Sequence, residues 1–300
     1  MMKILTVGGT YFLGKAFVEL MNSETDAEVT VLHRGSNHSA PTDKEILADR
    51  HDEEALRNIP HEEYDAIVDF CAYNKGDIEE LLNNLNCKCR QYIFISTVDV
   101  YMRGTGYAMN EDSELETRDF GGEAGAYISG KVSLESEVKR VCAERGMVYT
   151  VLRPAFIYGP GNYAPRESIY FKWIDGAGQI IHPTDADGEF QLVYVKDVAR
   201  AIKTVIGNPK AENKAFNICE NKTYFYGSYA ELLRKATGKD FEMVEVGVSD
   251  VYEKGLPLPF PLTRQESNLY DGSRFIREFD FVYSDDEISM RETYNSFASL

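Results

Sequence analysis

Tyr127 and Lys131 stand four apart in the run Tyr127-Ile128-Ser129-Gly130-Lys131. The segment around them, residues 123–145, carries helical apolar spacing through Val132, Leu134, Val138 and Val141. The phenol and the ammonium therefore share one helix face, one turn apart. A tyrosine is a poor base at neutral pH because its ordinary pKa lies near 10. A lysine cation one turn away favours its phenolate. An ordinary surface pair has the same spacing, and what sets this one apart lies upstream. Tyr92-Ile93-Phe94-Ile95 has the composition of a buried strand and runs into Ser96-Thr97-Val98-Asp99-Val100-Tyr101. A hydroxyl at a strand end, Thr97, can hold an oxygen in place while Tyr127 takes or gives its proton. The chemistry suggested is proton transfer at a hydroxyl/carbonyl couple.

The elements that must position these groups begin at the N-terminus. Gly8-Gly9-Thr10-Tyr11-Phe12-Leu13-Gly14 follows the apolar run Ile4-Leu5-Thr6-Val7 and opens a helical pattern at Phe17, Val18, Leu20 and Met21. Strand, glycine turn and helix aim backbone N–H groups and a helix N-terminus at one point, which suits a pyrophosphate. Further strands are expected at 28–32, 45–48, 65–70, 91–96 and 148–153, besides 3–7. Alternation with helices at this spacing implies a parallel sheet covered on both faces. The second strand ends in His33-Arg34, where an Asp or Glu would bind the ribose 2′-OH of NAD. With no acid there, Arg34, with Ser36 nearby, leans towards NADP, although an arginine in solvent has the same signature. Asp49-Arg50 ends the third strand. Cys71-Ala72-Tyr73 follows the fourth and is expected to run past the middle of a dinucleotide. Cys71 suits packing better than nucleophilic chemistry, since no activating base is apparent beside it.

With these residues in view, the chain resembles the short-chain dehydrogenase/reductase superfamily, in its extended or atypical epimerase/dehydratase-like form. Thr97 aligns with the catalytic Ser/Thr, and Tyr127 and Lys131 match Y-x-x-x-K. Leu152-Arg153-Pro154-Ala155-Phe156-Ile157-Tyr158-Gly159-Pro160-Gly161 resembles the LRP...YGPG segment. Val195-Lys196-Asp197-Val198-Ala199, Phe216-Asn217-Ile218 and Asp271-Gly272-Ser273-Arg274 resemble three later segments. The resemblance implies an α/β fold, a Rossmann-type doubly wound parallel sheet with a smaller C-terminal substrate lobe. Residues 1–162, with 191–222 returning to them, would bind the dinucleotide; 163–190 and 223–300 would form the substrate lobe. It also implies hydride transfer with NADP or NAD, Lys131 on the nicotinamide ribose, Asp49 near the adenine amine, and cofactor contacts from the whole glycine turn, His33, Arg34, Arg50, residues 71–73 and Pro154.

Departures from the family pattern limit what the resemblance implies. Tyr11 stands where G-x-x-G-x-x-G has its middle glycine, and a Cβ there is expected to weaken the grip on the pyrophosphate. The resulting G-G-x-x-x-x-G form resembles a subgroup whose members are labelled isoflavone-reductase-like, sugar-dehydratase-like or mRNA-binding. Sugar-nucleotide enzymes of this kind often carry an Arg shortly before the V-D-D helix, and Glu189-Phe190-Gln191-Leu192 has none. Asp99 lacks the acidic neighbour that dehydratases often place beside it. Epimerase, reductase and dehydratase chemistry stay open, as does the substrate, a sugar nucleotide or a small carbonyl compound.

Composition bounds the alternatives. The chain has 300 residues, 43% hydrophobic and 27% charged, a globular balance. The formal net charge is −17. Nucleic-acid binding needs clustered Lys and Arg to neutralise phosphates, and the densest basic stretches, Lys88-Cys89-Arg90 and residues 200–203, are short. An RNA-binding protein is therefore disfavoured, and a non-catalytic dinucleotide sensor would have no chemical use for Thr97, Tyr127 and Lys131 together. No apolar run reaches the roughly 18 residues of a membrane span. Five cysteines, Cys87 and Cys89 too close for zinc-ligand spacing, fit a reduced cytoplasmic protein. His33 and His38 lie close together without a third ligand, so no metal is expected. The expected partner is a small-molecule substrate, with neither nucleic acid nor membrane; a homodimer is left open.

Overall fold

The computed structural model describes residues 1–36, 42, 44–104 and 106–298. His38 lies outside the described residues. The first half alternates strand and helix: β1 Lys3–Val7, α1 Phe12–Glu24, β2 Glu28–His33, β3 Lys44–Leu47, α2 Glu53–Asn58, β4 Glu62–Asp69, α3 Asp77–Asn84, β5 Cys87–Ile95, α4 Gly122–Glu144 and β6 Val148–Pro154. The second half continues with β7 Phe156–Tyr158, α5 Glu167–Ala177, β8 Gln179–Pro183, β9 Leu192–Tyr194, α6 Val195–Val205, β10 Lys214–Ile218, α7 Tyr226–Thr237, β11 Glu242–Val246, α8 Val248–Lys254, α9 Ser273–Phe279 and α10 Asp286–Ala298.

Seven strands form one parallel sheet in the order β10-β6-β5-β4-β1-β2-β3. Strand order reverses at β1, with Val7 opposite Leu32 on one side and Asp69 on the other. In such sheets the ligand crevice lies beyond the C-terminal strand ends at this switch point. The alternation of a strand sends neighbouring residues to opposite faces. Ile4, Val31, Val68 and Ile93 pack with Phe17 of α1 and Ile202 of α6; Leu5, Leu32, Ile67 and Phe94 pack with Ile78 of α3 and Val138 of α4. Burial on both faces explains why these strands are continuous apolar runs. Two smaller parallel pairs, β7 with β9 and β8 with β11, lie outside the main sheet.

β4 and β5 begin earlier than their apolar runs, at Glu62 and Cys87. Their first residues pair, Glu62 with Cys87 and Glu63 with Lys88, yet they are polar or half-exposed and carry no apolar signal. The backbone ladder continues where the hydrophobic pattern has stopped.

α4 carries three polar side chains, Lys131, Glu135 and Glu137, into the interior. Glu135 is fully buried and takes the Arg153 guanidinium on both oxygens, at 2.9 Å from Nε and 2.5 Å from Nη2, together with the Ser96 hydroxyl at 2.7 Å. Glu137 accepts three backbone N–H groups at the start of α3, from Gly76 (2.7 Å), Ile78 (3.0 Å) and Glu79 (2.8 Å). Those amides are helix-terminal donors that need a partner, and the carboxylate also meets the positive end of the α3 dipole. Lys131, on the same helix, is described with the site. Removing one partner of a buried ion pair strands the other. Glu135→Gln is expected to lower the unfolding free energy by about 3–5 kcal/mol, read as a fall in the urea midpoint at unchanged slope; a loss within error would show that Arg153 finds water or another acceptor.

Candidate active site

At the switch point the chain has to turn sharply. Gly8 and Gly9 have φ of +83° and +138°, which side chains resist. A Cβ on Gly8 would lie 2.5 Å from Cys71 Sγ, and one on Gly14 would lie 2.8 Å from Gly9 Cα. The turn and the start of α1 are packed so closely that only hydrogen fits. Tyr11, by contrast, has extended backbone at φ −145°. Its ring leaves the cradle and stacks on Tyr163 at 5.6 Å, so its side chain becomes part of the cleft's cover.

The turn forms one wall of a cleft of about 880 Å³. Gly8, Gly9, Thr10, Tyr11, Phe12, Leu13, Gly14, His33, Arg34, Asp49, Arg50, Cys71, Tyr73, Thr97, Tyr127, Lys131 and Pro154 all line it. Ala72 does not: it is fully buried, and its carbonyl points to Lys131. In this structure Ala72 supports Lys131, where the chain turns inward after β4 to meet α4.

The glycine in Tyr-x-x-Gly-Lys explains how close that meeting is. A Cβ on Gly130 would sit 2.0 Å from the Tyr73 carbonyl oxygen. With hydrogen there, Lys131 reaches across and its Nζ donates to the Ala72 and Ile95 carbonyls, each at 2.8 Å. The ammonium also lies 4.7 Å from the Tyr73 ring centroid, 4.9 Å from Phe94 and 5.8 Å from Tyr127. Burial lowers its pKa from the ordinary 10.5 to about 8, against the pull of Asp69 and Cys71.

Tyr127 faces the cleft with a tilted Tyr73 ring at 6.3 Å. Withdrawal from water and the Asp99 carboxylate raise its phenol to about 12, while the Thr97 hydroxyl and the Arg166 guanidinium pull the other way. In this state Tyr127 carries its proton; the phenolate expected from the sequence requires the added positive charge of an oxidised nicotinamide beside Lys131. Thr97 donates to Asp99 Oδ2 at 3.3 Å and accepts from the Asp99 N–H at 3.2 Å. Arg103 pairs with the other oxygen of Asp99 at 3.2 Å.

At the other end the cations differ in commitment. Arg50 donates to Asp69 Oδ1 at 3.0 Å and to the Asp77 carbonyl at 2.7 Å. His33 Nδ1 accepts the Gly35 N–H at 3.2 Å, which shapes the turn after β2. Arg34 is exposed and has no hydrogen bond or ion pair with the described residues. Burial and Asp69 push the Cys71 thiol up to about 11, so it stays protonated and packs against Gly8. Among the described residues no cluster of three or more metal-ligating side chains occurs, and no helix is long and apolar enough to cross a membrane.

The span 4–219, which contains the cradle, Thr97, Tyr127 and Lys131, matches the NAD dependent epimerase/dehydratase family. The chain belongs to that family. Within it, the chain is 28% identical over 252 residues to the chloroplast stem-loop binding protein of 41 kDa b from Arabidopsis thaliana, covering 79% of this chain. It spans 63% of that relative's length. The solved UDP-glucose 4-epimerase of Thermotoga maritima with UDP-glucose has TM-score 0.76 at 20% identity, over 99% of both chains. The dTDP-glucose 4,6-dehydratase from Bacillus anthracis in complex with NAD has TM-score 0.73 at 19% identity, covering 100% of this chain and 97% of that one. These two likenesses are of fold.

Asp99, Asn162, Tyr163 and Arg166 also line the cleft and were not singled out by sequence as site residues. The last three follow Tyr158-Gly159-Pro160-Gly161 directly, so that segment was the available signal. Lys131 supplies a pH test. Its proton leaves the folded chain near 8 and the unfolded chain near 10.5. Between those values the unfolded state binds more protons, so stability must rise with pH. Wild type should gain on Lys131→Met between pH 8 and 10 in urea titrations; parallel curves would place the lysine in contact with water.

Proposed function

We propose that this chain is a nicotinamide-dinucleotide-dependent enzyme acting on a hydroxyl/carbonyl couple of a small molecule, with Thr97, Tyr127 and Lys131 as its chemical set and NADP preferred to NAD. The observation that carries this is a single cleft with a glycine cradle in the middle, the uncommitted Arg34 at one end and Thr97, Tyr127 and Lys131 at the other. The cradle fits a pyrophosphate because the positive-φ turn at Gly8 and Gly9 leads into the N-terminus of α1 on the cleft wall. Arg34 would hold a 2′-phosphate, and Lys131, between two carbonyls, has a third N–H for a ribose hydroxyl. When bound, the dinucleotide supplies a hydride donor or acceptor. Residues 163–190 and 223–300 would hold the substrate.

The protein's part is positional and protonic. Thr97 fixes the substrate oxygen beside Tyr127. Tyr127, resting as a neutral phenol, gives its proton to a carbonyl oxygen being reduced, or takes one from a hydroxyl when added positive charge has lowered its pKa. Tyr127→Phe should lower kcat by about two orders of magnitude or more and leave dinucleotide affinity nearly unchanged; wild-type turnover in that variant would remove Tyr127 from the mechanism.

RNA binding is the second reading, and the observation favouring it is the similarity to a stem-loop binding protein. The net charge of −17 speaks against it, and anisotropy with a stem-loop RNA at physiological salt separates the two. For the cofactor, a guanidinium can make charge-assisted, often bidentate bonds to a phosphate. In calorimetry NADPH should bind more tightly than NADH, and Arg34→Ala should erase most of the difference. Equal affinities in wild type would mean that Arg34 serves only the solvent.

A further inference from the structure

Among the described residues, six cationic or imidazole side chains line the cleft: His33, Arg34, Arg50, His51, Lys131 and Arg166. Four are committed within the chain. Arg50 pairs with Asp69, Lys131 donates to two carbonyls, His33 sits 3.6 Å from Glu45, and His51 lies within 3.9 Å of Asp77 and 3.5 Å of Glu80. Arg34 and Arg166 have no carboxylate at ion-pair distance among the described residues. Arg34 stands at the end of β2, and Arg166 belongs to the opposite, reacting end.

Arg166 is mounted rather than loose. Its guanidinium lies over the Phe156 ring at 5.0 Å, and Phe156 in turn packs against Phe260 at 6.0 Å. Nη1 donates to the Ile157 carbonyl at 3.2 Å. The remaining N–H groups have no partner among the described residues. The neighbouring carboxylate, Glu167, is turned away and buried. Its oxygens accept from Asn162 Nδ2 at 2.9 and 3.0 Å, and Oε1 also from the Gly159 N–H at 3.2 Å. That contact, with Asn162 Oδ1 accepting the Ala164 N–H at 3.0 Å, pins the loop from which Arg166 projects. The other arginines near the reacting end are spent elsewhere: Arg103 on Asp99, and Arg118 on Glu116 at 2.7 Å.

Building on the enzymatic reading above, we propose that Arg166 is the substrate's anion-recognition residue: the substrate carries a phosphate or carboxylate group near the carbon that reacts at Tyr127, and Arg166 receives it. In a chain of net charge −17, a preorganised guanidinium left without a carboxylate in a cleft has an anion as its fitting ligand. Arg166 and Tyr127 line the same cleft.

The test uses the full chain saturated with NADP⁺, which occupies the Arg34 end. Inorganic phosphate and malonate are titrated by calorimetry at low ionic strength into wild type, Arg166→Gln, Arg166→Lys and, as a control outside the cleft, Arg118→Gln. At least one probe should bind wild type saturably. Its affinity should fall about tenfold or more in Arg166→Gln, the size expected for a lost charge-assisted bond, and recover in part in Arg166→Lys. Arg118→Gln should match wild type. Preference for phosphate would indicate a phosphorylated substrate, and preference for malonate a carboxylic acid. Failure of both probes to bind wild type, or equal binding in Arg166→Gln, overturns the proposal. If neither NADP⁺ nor NAD⁺ binds, the enzymatic reading falls, and the same titrations in an Arg34→Ala background still decide the anion site.

Discussion

The approach of α4 to the ends of β4 and β5 is the constraint on which the rest of the cleft depends. At Gly130 the helix touches the Tyr73 carbonyl so closely that a methyl group has no room. One residue on, the Lys131 ammonium is held between the Ala72 and Ile95 carbonyls. An unpaired ammonium in such a place would be very unfavourable, and the two carbonyls and three flanking rings offset that. The same lysine therefore fixes the height of the helix above the sheet, and with it the place of Tyr127 one turn earlier. Glu135 and Glu137 set the helix's rotation and tilt, by gripping Arg153 of β6 and the amides of α3. Three strands and a second helix converge on one element.

Much of this was legible in the residues. β1 was expected at 3–7 and occurs at Lys3–Val7, and the helix expected at 123–145 spans Gly122–Glu144. Strand runs buried on both faces announce themselves by unbroken apolar composition, and Tyr-x-x-x-Lys announces itself by its period. Glu135 and Glu137 were not legible as buried groups. On a helical wheel Glu135, seven after Ile128 and three before Val138, falls within the apolar stripe and Glu137 at its edge, and only the arrival of Arg153 and the α3 amides from distant parts of the chain makes carboxylates tenable there. Arg166 was hidden for the same reason. Whether an arginine has a carboxylate partner is settled by residues far away in sequence.

The tyrosine that stands where the family pattern has a cradle glycine also builds a bridge. Tyr11, on the glycine turn, stacks on Tyr163 at 5.6 Å, and Phe12 meets the same ring edge-on at 5.9 Å. The Tyr163 loop is in turn fastened through Asn162 to the buried Glu167. Two walls of the cleft, drawn from the start and the middle of the chain, are joined above its floor by aromatic contact alone.

A contact of that kind sets a timescale rather than an affinity. An aromatic pair contributes about 0.5–1.5 kcal/mol beyond its area, and about 1.4 kcal/mol corresponds to a factor of ten. Breaking the Tyr11–Tyr163 stack can thus slow the escape of a molecule lying beneath it by roughly tenfold at most. Such a stack is weak enough for thermal motion to open, so for any molecule lying beneath it the polar groups of the turn would have to supply most of the hold. The two exposed rings could then be altered without disturbing the strand, turn and helix below.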